Sequence, residues 1–184
     1  MRASMVFGEK FIRDTLSDVL ILYSNFPTDP QFSIDSRTMQ PGDIFVALSG
    51  ARSDGHDYVQ NVLEKGAAGV IVSHEKKQVL DKIDKQLLAK KLVILVPSTE
   101  AALISLAARW RKQFDYPVVG ITGSIGKTST KETIAKILKH HGVNYLANQG
   151  NQNTKIGISL NILRMRPHHQ VALFEVGINK RGEI

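Results

Sequence analysis

Two glycines, an ammonium and a hydroxyl follow an apolar run in VVGITGSIGKTST, residues 118–130. The run reads as a strand and the residues from Lys127 onward as a helix, so the chain must turn sharply between them. Gly123 and Gly126 permit backbone angles and a close approach that a Cβ would obstruct. Successive backbone N–H groups in the turn, with the positive end of the helix near Lys127, can surround phosphate oxygens. Lys127 would reach the β and γ oxygens of a nucleoside triphosphate, and Thr128 would ligate Mg²⁺. The usual spacing G-x-x-x-x-G-K-[ST] is not met, because Ile121 stands where its first glycine belongs and the nearest glycine is Gly120. The stretch is therefore a variant phosphate loop. The competing reading is an ordinary strand-to-helix turn with glycines for packing; the strand before it, the helix after it and Gly-Lys-Thr at the junction weigh against that. Phosphate binding alone leaves a kinase, a GTPase, a ligase and a nucleotide sensor open, since all need the same cradle.

The elements that must position this loop alternate between helix and strand, which gives an α/β fold class. A helix is expected over about 10–23, ended by the prolines of NFPTDP. Short strands follow at FSID and DIFVAL, then a helix over 54–65, a strand at GVIV, a charged helix over about 76–90 and a strand at LVILV. In STEAALISLAARWRKQF, helical spacing puts Leu103, Leu106, Ala107, Trp110 and Phe114 on one face, which reads as core packing and assigns Trp110 no cofactor role. Beyond it the expectation is strand 117–121, helix 127–140, an extended piece over 143–147, helix 155–164 and strand 170–176. Pro97 marks a division, giving an N-terminal unit over 1–97 and a second over 98–184.

Composition sets the bounds. With 42% apolar and 22% charged residues in 184, the chain can bury a real core. No apolar run approaches the ~18 residues that cross a bilayer, and the N-terminus lacks a secretory h-region. The expectation is a cytoplasmic protein with no integral membrane contact. The absence of Cys removes disulfides, thiolate metal sites and Cys nucleophiles together. The net charge of +7 comes from lysines interleaved with acids or spread on solvated faces, without an aromatic platform, so no nucleic acid partner is expected. Attraction for polyanionic small ligands suffices. His168 and His169 follow Pro167 in a loop and read as solvent-facing, not as a zinc site.

TGSIGKTSTKE resembles the phosphate loop of the ATP-dependent Mur ligases of bacterial cell-wall synthesis, which commonly reads T-G-[ST]-x-G-K-[ST]-[ST]-[ST]. Three further stretches occur in family order: DSRTMQPGDIFVALSGARSDGHDYVQNVLEKGAAGVIV at 35–72, NQGNQNTKIGISLNILRM at 148–165 and FEVGINKRGEI at 174–184. The first is similar to a uridine-nucleotide-binding N-terminal domain. The last two look more like the family member that adds D-alanyl-D-alanine than the one that adds the third peptide residue. The resemblance implies a small nucleotide-sugar-binding domain followed by the first part of a mainly parallel, P-loop ATP-binding domain. It implies an amide-bond ligase of peptidoglycan precursor synthesis, using ATP and Mg²⁺ on UDP-N-acetylmuramoyl-tripeptide and D-alanyl-D-alanine through an acyl phosphate. A monomer is expected. A non-catalytic nucleotide-binding or regulatory module, and the ligase adding the third residue, remain as alternatives.

Carried onto this chain, the resemblance implies that Thr122, Gly123, Ser124, Gly126, Lys127, Thr128 and Ser129 hold the nucleotide. Lys127 and Glu175 would be catalytic, with Thr128 and Glu175 on the metal: a carboxylate at the mouth of the strand VALFE suits a hard cation. Its alternative is a solvated strand end. On the substrate side, the hydroxyl and guanidinium of Ser36 and Arg37 can hold phosphate or a uracil edge, joined by Gly50, Asp54, Gly55 and His56 in a polar turn. Asp54 reads equally as a helix N-cap, His56 as a first-turn surface residue, and Arg37 as the partner of a nearby carboxylate. Asn151, Asn153 and Thr154 would line the loop between nucleotide and substrate, or hydrogen-bond their own turns. The chain departs from the family pattern at Ile125, where Asn is usual, and it stops at Ile184 while the family continues. It is expected to be inactive alone.

Overall fold

The computed structural model describes residues 7–148, 150 and 152–177. Two compact units divide between Leu106 and Ala107. In the first, five strands, β1 (Leu20–Ser24), β2 (Phe32–Ser33), β3 (Ile44–Val46), β4 (Gly69–Ser73) and β5 (Leu92–Val96), form one sheet in the order β1-β5-β4-β3-β2. All pairings are parallel except β1 on β5. Strands β3 and β5 are buried along their whole length, and their continuous apolar runs IFV and LVILV are what a strand covered on both faces requires. Phe45, Val70, Val72, Val93 and Leu95 pack in one core cluster with Val59, Val62 and Leu63 of helix α2 (Val59–Glu64).

Three expected helices come out differently. Helix α1 (Glu9–Thr15) is short, and the residues expected to extend it form β1. Leu16 is already extended and Asp18 takes a positive φ of 50°, so the chain leaves the helix and reverses before Leu20. The run LILYS then alternates in burial, as an edge strand does, and its backbone groups find partners on β5. The charged stretch expected as one helix over 76–90 is instead a 3₁₀ segment, His74–Leu80, and a single turn, α3 (Lys85–Leu88), capped by Asp84. Likewise 54–65 begins as a 3₁₀ turn, Gly55–Tyr58, before α2.

Helix α4 (Thr99–Arg111) carries the expected stripe: Leu103, Leu106 and Ala107 are buried, and the Trp110 indole N–H donates to the Met165 carbonyl at 3.1 Å. In the second unit β6 (Val118–Ile121), β7 (Tyr145–Ala147) and β8 (Val171–Glu175) form an all-parallel sheet in the order β6-β8-β7. Helix α5 (Lys127–His140) follows β6, and α6 (Lys155–Leu163) leads toward β8. His168 is exposed, whereas His169 is half-buried and its ring accepts the Arg166 backbone N–H at 3.0 Å. The mixed α/β fold class of the sequence is thus present, with mostly parallel sheets. Among the described residues, no helix is long and apolar enough to cross a membrane.

At Gly69 two neighbouring strands leave no room for a side chain. A Cβ there would lie 2.6 Å from both the Cβ and the carbonyl oxygen of Leu92 on β5. Gly69→Ala is expected to cost about 1–3 kcal/mol of stability, the usual penalty of overpacking a filled core. Urea denaturation reads it directly, and an unchanged midpoint would mean that the two strands tolerate a wider spacing.

Candidate functional site

In a parallel sheet every strand delivers its following loop to the same edge, and that edge is where α/β proteins place their ligands. In the second unit Ile121 of β6 pairs with Glu175 of β8, so the glycine turn and the carboxylate leave the sheet side by side. Gly123 has φ 148° and Gly126 has φ 81°, and Gly126 caps α5 from the left-handed region with no side-chain cap. Helix starts leave their first backbone N–H groups unpaired within the helix, and here those groups belong to Lys127, Thr128 and Ser129. Thr122, Ser124 and Ser129 are exposed around the turn. Lys127 lies back across it, its ammonium donating to the Gly123 carbonyl at 2.6 Å. Ile125 is 95% exposed at the tip, an apolar side chain with nothing covering it among the described residues.

Glu175 is only 4% exposed, so its carboxylate requires partners. The Thr128 hydroxyl donates to Oε2 at 2.7 Å and the Asn153 amide to Oε1 at 3.0 Å. The Asn153 and Thr128 hydrogen bonds, with the positive charges of Lys131 and Lys127, outweigh burial and hold the carboxyl below its ordinary range. The solvated-strand-end reading of Glu175 is therefore not what the fold provides. Thr154 caps α6 by accepting the Gly157 N–H at 3.2 Å. Asn151 falls outside the described residues, as do residues 178–184 of the closing motif.

Two residues that the sequence did not single out organise this edge. Asn148, 1% exposed, accepts the Glu175 N–H at 2.9 Å and donates to the Glu175 carbonyl at 3.0 Å and the Gln152 carbonyl at 2.9 Å. Its side-chain amide thus pairs with β8 as a further peptide of β7 would. Lys131, 2% exposed, donates to the Asn148 carbonyl at 2.8 Å. A legible signal existed for Lys131, which lies at three-and-four spacing from Ile134, Ala135 and Leu138 on the apolar face of α5.

In the first unit the segments after β2 and β3 also emerge at the carboxyl edge of parallel strands. Asp35 and Arg37 form a two-pronged ion pair, with Nε at 2.9 Å and Nη2 at 2.6 Å from the carboxylate. Hydrogen bonding to Arg37 lowers the Asp35 carboxyl from 3.8 to about 2. Ser36 is half-buried, and its carbonyl accepts from Lys65 at 3.3 Å. Asp54 caps the 3₁₀ turn by accepting the His56 N–H at 3.0 Å, and it also faces the His56 ring at 2.6 Å, Ser49 at 3.2 Å and Lys76 at 3.2 Å. Burial pushes the Asp54 carboxyl up, but the His56 backbone and ring and Lys76 prevail and hold it well below the usual carboxylate range. His56 is not a surface residue. It is 2% exposed, and its Nε2 accepts the Ser73 N–H at 3.0 Å, which leaves the proton on Nδ1, facing Asp54. Gly55 is packed so closely that a Cβ would lie 2.8 Å from the Leu48 nitrogen, while at Gly50 it would meet the Ser53 carbonyl at 3.2 Å.

Two successive α/β units, each gathering hydroxyl, carboxylate and cationic groups at the carboxyl edge of a mostly parallel sheet, define the class of protein. Residues 31–111 match the Mur ligase family, catalytic domain, and residues 121–183 the Mur ligase middle domain. The chain belongs to the Mur ligase family. It is 40% identical over 171 residues to a UDP-N-acetylmuramoyl-tripeptide--D-alanyl-D-alanine ligase of Rickettsia prowazekii, covering 92% of this chain and 36% of that protein. With the Escherichia coli protein of the same name the identity is 41% over 150 residues, covering 82% of this chain and 30% of that one. Among solved structures, MurF from Acinetobacter baumannii superposes with a TM-score of 0.67 at 35% identity, over 83% of this chain and 31% of that one. MurF ligase from Thermotoga maritima in complex with ADP gives 0.66 at 32%, over 85% and 34%. The chain spans about a third of the length of the curated relatives it matches.

The Asp35–Arg37 pair predicts a pH dependence. Because the folded carboxyl is the stronger acid, the pair's contribution to stability is complete above the ordinary value near 3.8 and is lost as pH falls toward about 2. In Arg37→Gln, where the backbone N–H of residue 37 still donates to Asp35 Oδ1, NMR titration of Asp35 should move up from about 2 part of the way toward 3.8. A titration left near 2 would show that Arg37 does not hold the carboxylate.

Proposed function

We propose that this chain carries the nucleotide-sugar and ATP-phosphate sites of a ligase that joins D-alanyl-D-alanine to UDP-N-acetylmuramoyl-tripeptide. The observation that carries the reading is the Thr128–Glu175 pair, 2.7 Å apart beside a glycine turn that opens a fourteen-residue helix. A hydroxyl and one carboxylate, both hard oxygen donors, suit Mg²⁺, which takes one or two carboxylates plus substrate phosphates. Among the described residues no group of three or more His, Cys, Asp or Glu gathers that could hold a metal by itself, and Mg²⁺ held jointly with phosphate needs none. The bound ion would neutralise charge on the transferring phosphoryl group.

In this reading Gly123, Gly126 and the first amides of α5 wrap the phosphates, with Thr122, Ser124 and Ser129 around them. Lys127 exchanges the Gly123 carbonyl for a phosphate oxygen. ATP transfers its terminal phosphoryl group to the tripeptide carboxylate, releasing ADP; the dipeptide amine then attacks the acyl phosphate, releasing phosphate and forming the amide. The loop amides and Lys127 act by holding the phosphoryl group in line and offsetting its charge. Asn153 and Thr154 border the space where the carboxylate meets it. Ser36 and Arg37 contact the uridine nucleotide, and Gly50, Asp54, Gly55 and His56 form the turn that faces it, His56 contributing by fixing that turn. The names of the similar proteins support the dipeptide as second substrate over a single amino acid. The ADP complex of the similar T. maritima protein supports the nucleotide. A cytoplasmic monomer fits these precursors.

Calorimetric titration tests the reading in two arms. The chain should bind UDP-N-acetylmuramoyl-tripeptide through the first unit and Mg·ATP through the second. Lys127→Ala should weaken Mg·ATP by about ten- to a hundredfold, the worth of a charge-assisted hydrogen bond, while leaving the sugar nucleotide unaffected. A folded chain that binds neither ligand would overturn the reading.

A further inference from the structure

Lys131 stands in an environment where a lysine is costly. Burying an ammonium carries a penalty of several kcal/mol unless charge and hydrogen bonds offset it, and Lys and Glu are almost never fully buried unless paired. The buried residues of α5 are Lys131 and Ala135, and the other lysines of the helix beyond its first residue are exposed. An unbranched apolar side chain such as Met would fill the same space without that penalty. The nearest carboxylate, Glu132 Oε1 at 3.2 Å, belongs to a side chain 56% exposed and so offers a screened, mobile partner. The well-ordered acceptor is the Asn148 carbonyl at 2.8 Å.

That acceptor leads directly to Glu175. The Asn148 side chain grips both backbone polar groups of Glu175, and the Glu175 carboxylate in turn accepts from Thr128. Thr128 and Lys131 lie one turn apart on α5, so the path closes on itself: Lys131, Asn148, Glu175, Thr128 and back along the helix. Within the circuit the ammonium also acts through space on the Glu175 carboxylate.

We propose that Lys131 is a positioning residue of the phosphate-loop site, holding Asn148 so that the Glu175 carboxylate stays fixed against Thr128. This rests on the reading of the loop as a nucleotide site, but its structural half is testable without any nucleotide. In Lys131→Met the backbone amide of Glu175 should exchange with solvent about tenfold faster, while core amides such as those of Leu173 keep their protection. Mg·ADP affinity should fall by about tenfold, corresponding to the loss of one hydrogen bond of ordinary strength, and Lys131→Arg should recover part of it. Unchanged Glu175 exchange and unchanged Mg·ADP affinity in Lys131→Met would overturn the proposal. If the wild-type chain fails to bind Mg·ADP while Glu175 exchange still responds to Lys131→Met, the positioning role stands and the nucleotide reading falls. Should both variants fail to fold, the wild type decides: a fixed Lys131 ammonium gives resolved, slowly exchanging Nζ protons by NMR, and an ammonium exchanging as freely as those of the surface lysines overturns the proposal.

Discussion

The carboxylate of Glu175 is the constraint around which the second unit is arranged. An ionised group this buried is tolerable only when its oxygens are engaged and positive charge lies near. Helix α5 supplies a hydroxyl, the loop before α6 supplies an amide, and the two lysines of α5 nearest its start supply charge. The backbone at the same residue is bracketed by Asn148, which serves where β7 has stopped supplying peptide groups. The result is a strand end whose polar groups are paired within the fold. Fixed oxygens at such a place suit a ligand that carries its own dense negative charge and brings a hard cation with it.

In the first unit the corresponding edge is fixed by an imidazole. His56 spans from the Asp54 carboxylate to the backbone N–H of Ser73 at the end of β4, so the turn following β3 is fastened to its neighbouring strand. Gly55, pressed against Leu48, lets the turn come that close. The two units meet the same physical problem, an irregular loop leaving a parallel sheet, by different means: a side-chain amide in one, an aromatic ring in the other. The cationic groups Lys127 and Arg37 rest on local partners, the Gly123 carbonyl and the Asp35 carboxylate.

Much of this was legible beforehand. The glycine turn and the helix over 127–140 follow from residue types alone, because an apolar run, two glycines and a Gly-Lys-Thr junction leave little other local structure. The fully apolar strands IFV and LVILV were equally plain. What escaped was set by distant partners. LILYS is an adequate helix by propensity and becomes a strand because β5 offers it a free edge. The charged stretch after β4 carries Val79, Leu80, Ile83 and Leu87 at helical spacing, which read as one helix, but a second cap at Asp84 divides it. Asn148 looks like any loop asparagine until β7 and β8 are laid side by side, and His56 looks exposed until β4 is placed behind it.

The antiparallel pairing of β1 with β5 joins residue 20 to residue 95, with the three parallel strands encoded between them. Contacts that far apart in sequence form slowly, because closing so long a loop carries an entropic cost that must be met before any pairing rewards it. On the ribosome, β1 emerges first among these strands and its partner last. Through most of the unit's synthesis, then, LILYS is a nascent segment of high apolar content without its sheet, and the arrival of LVILV is the event that gives one of its two edges a partner.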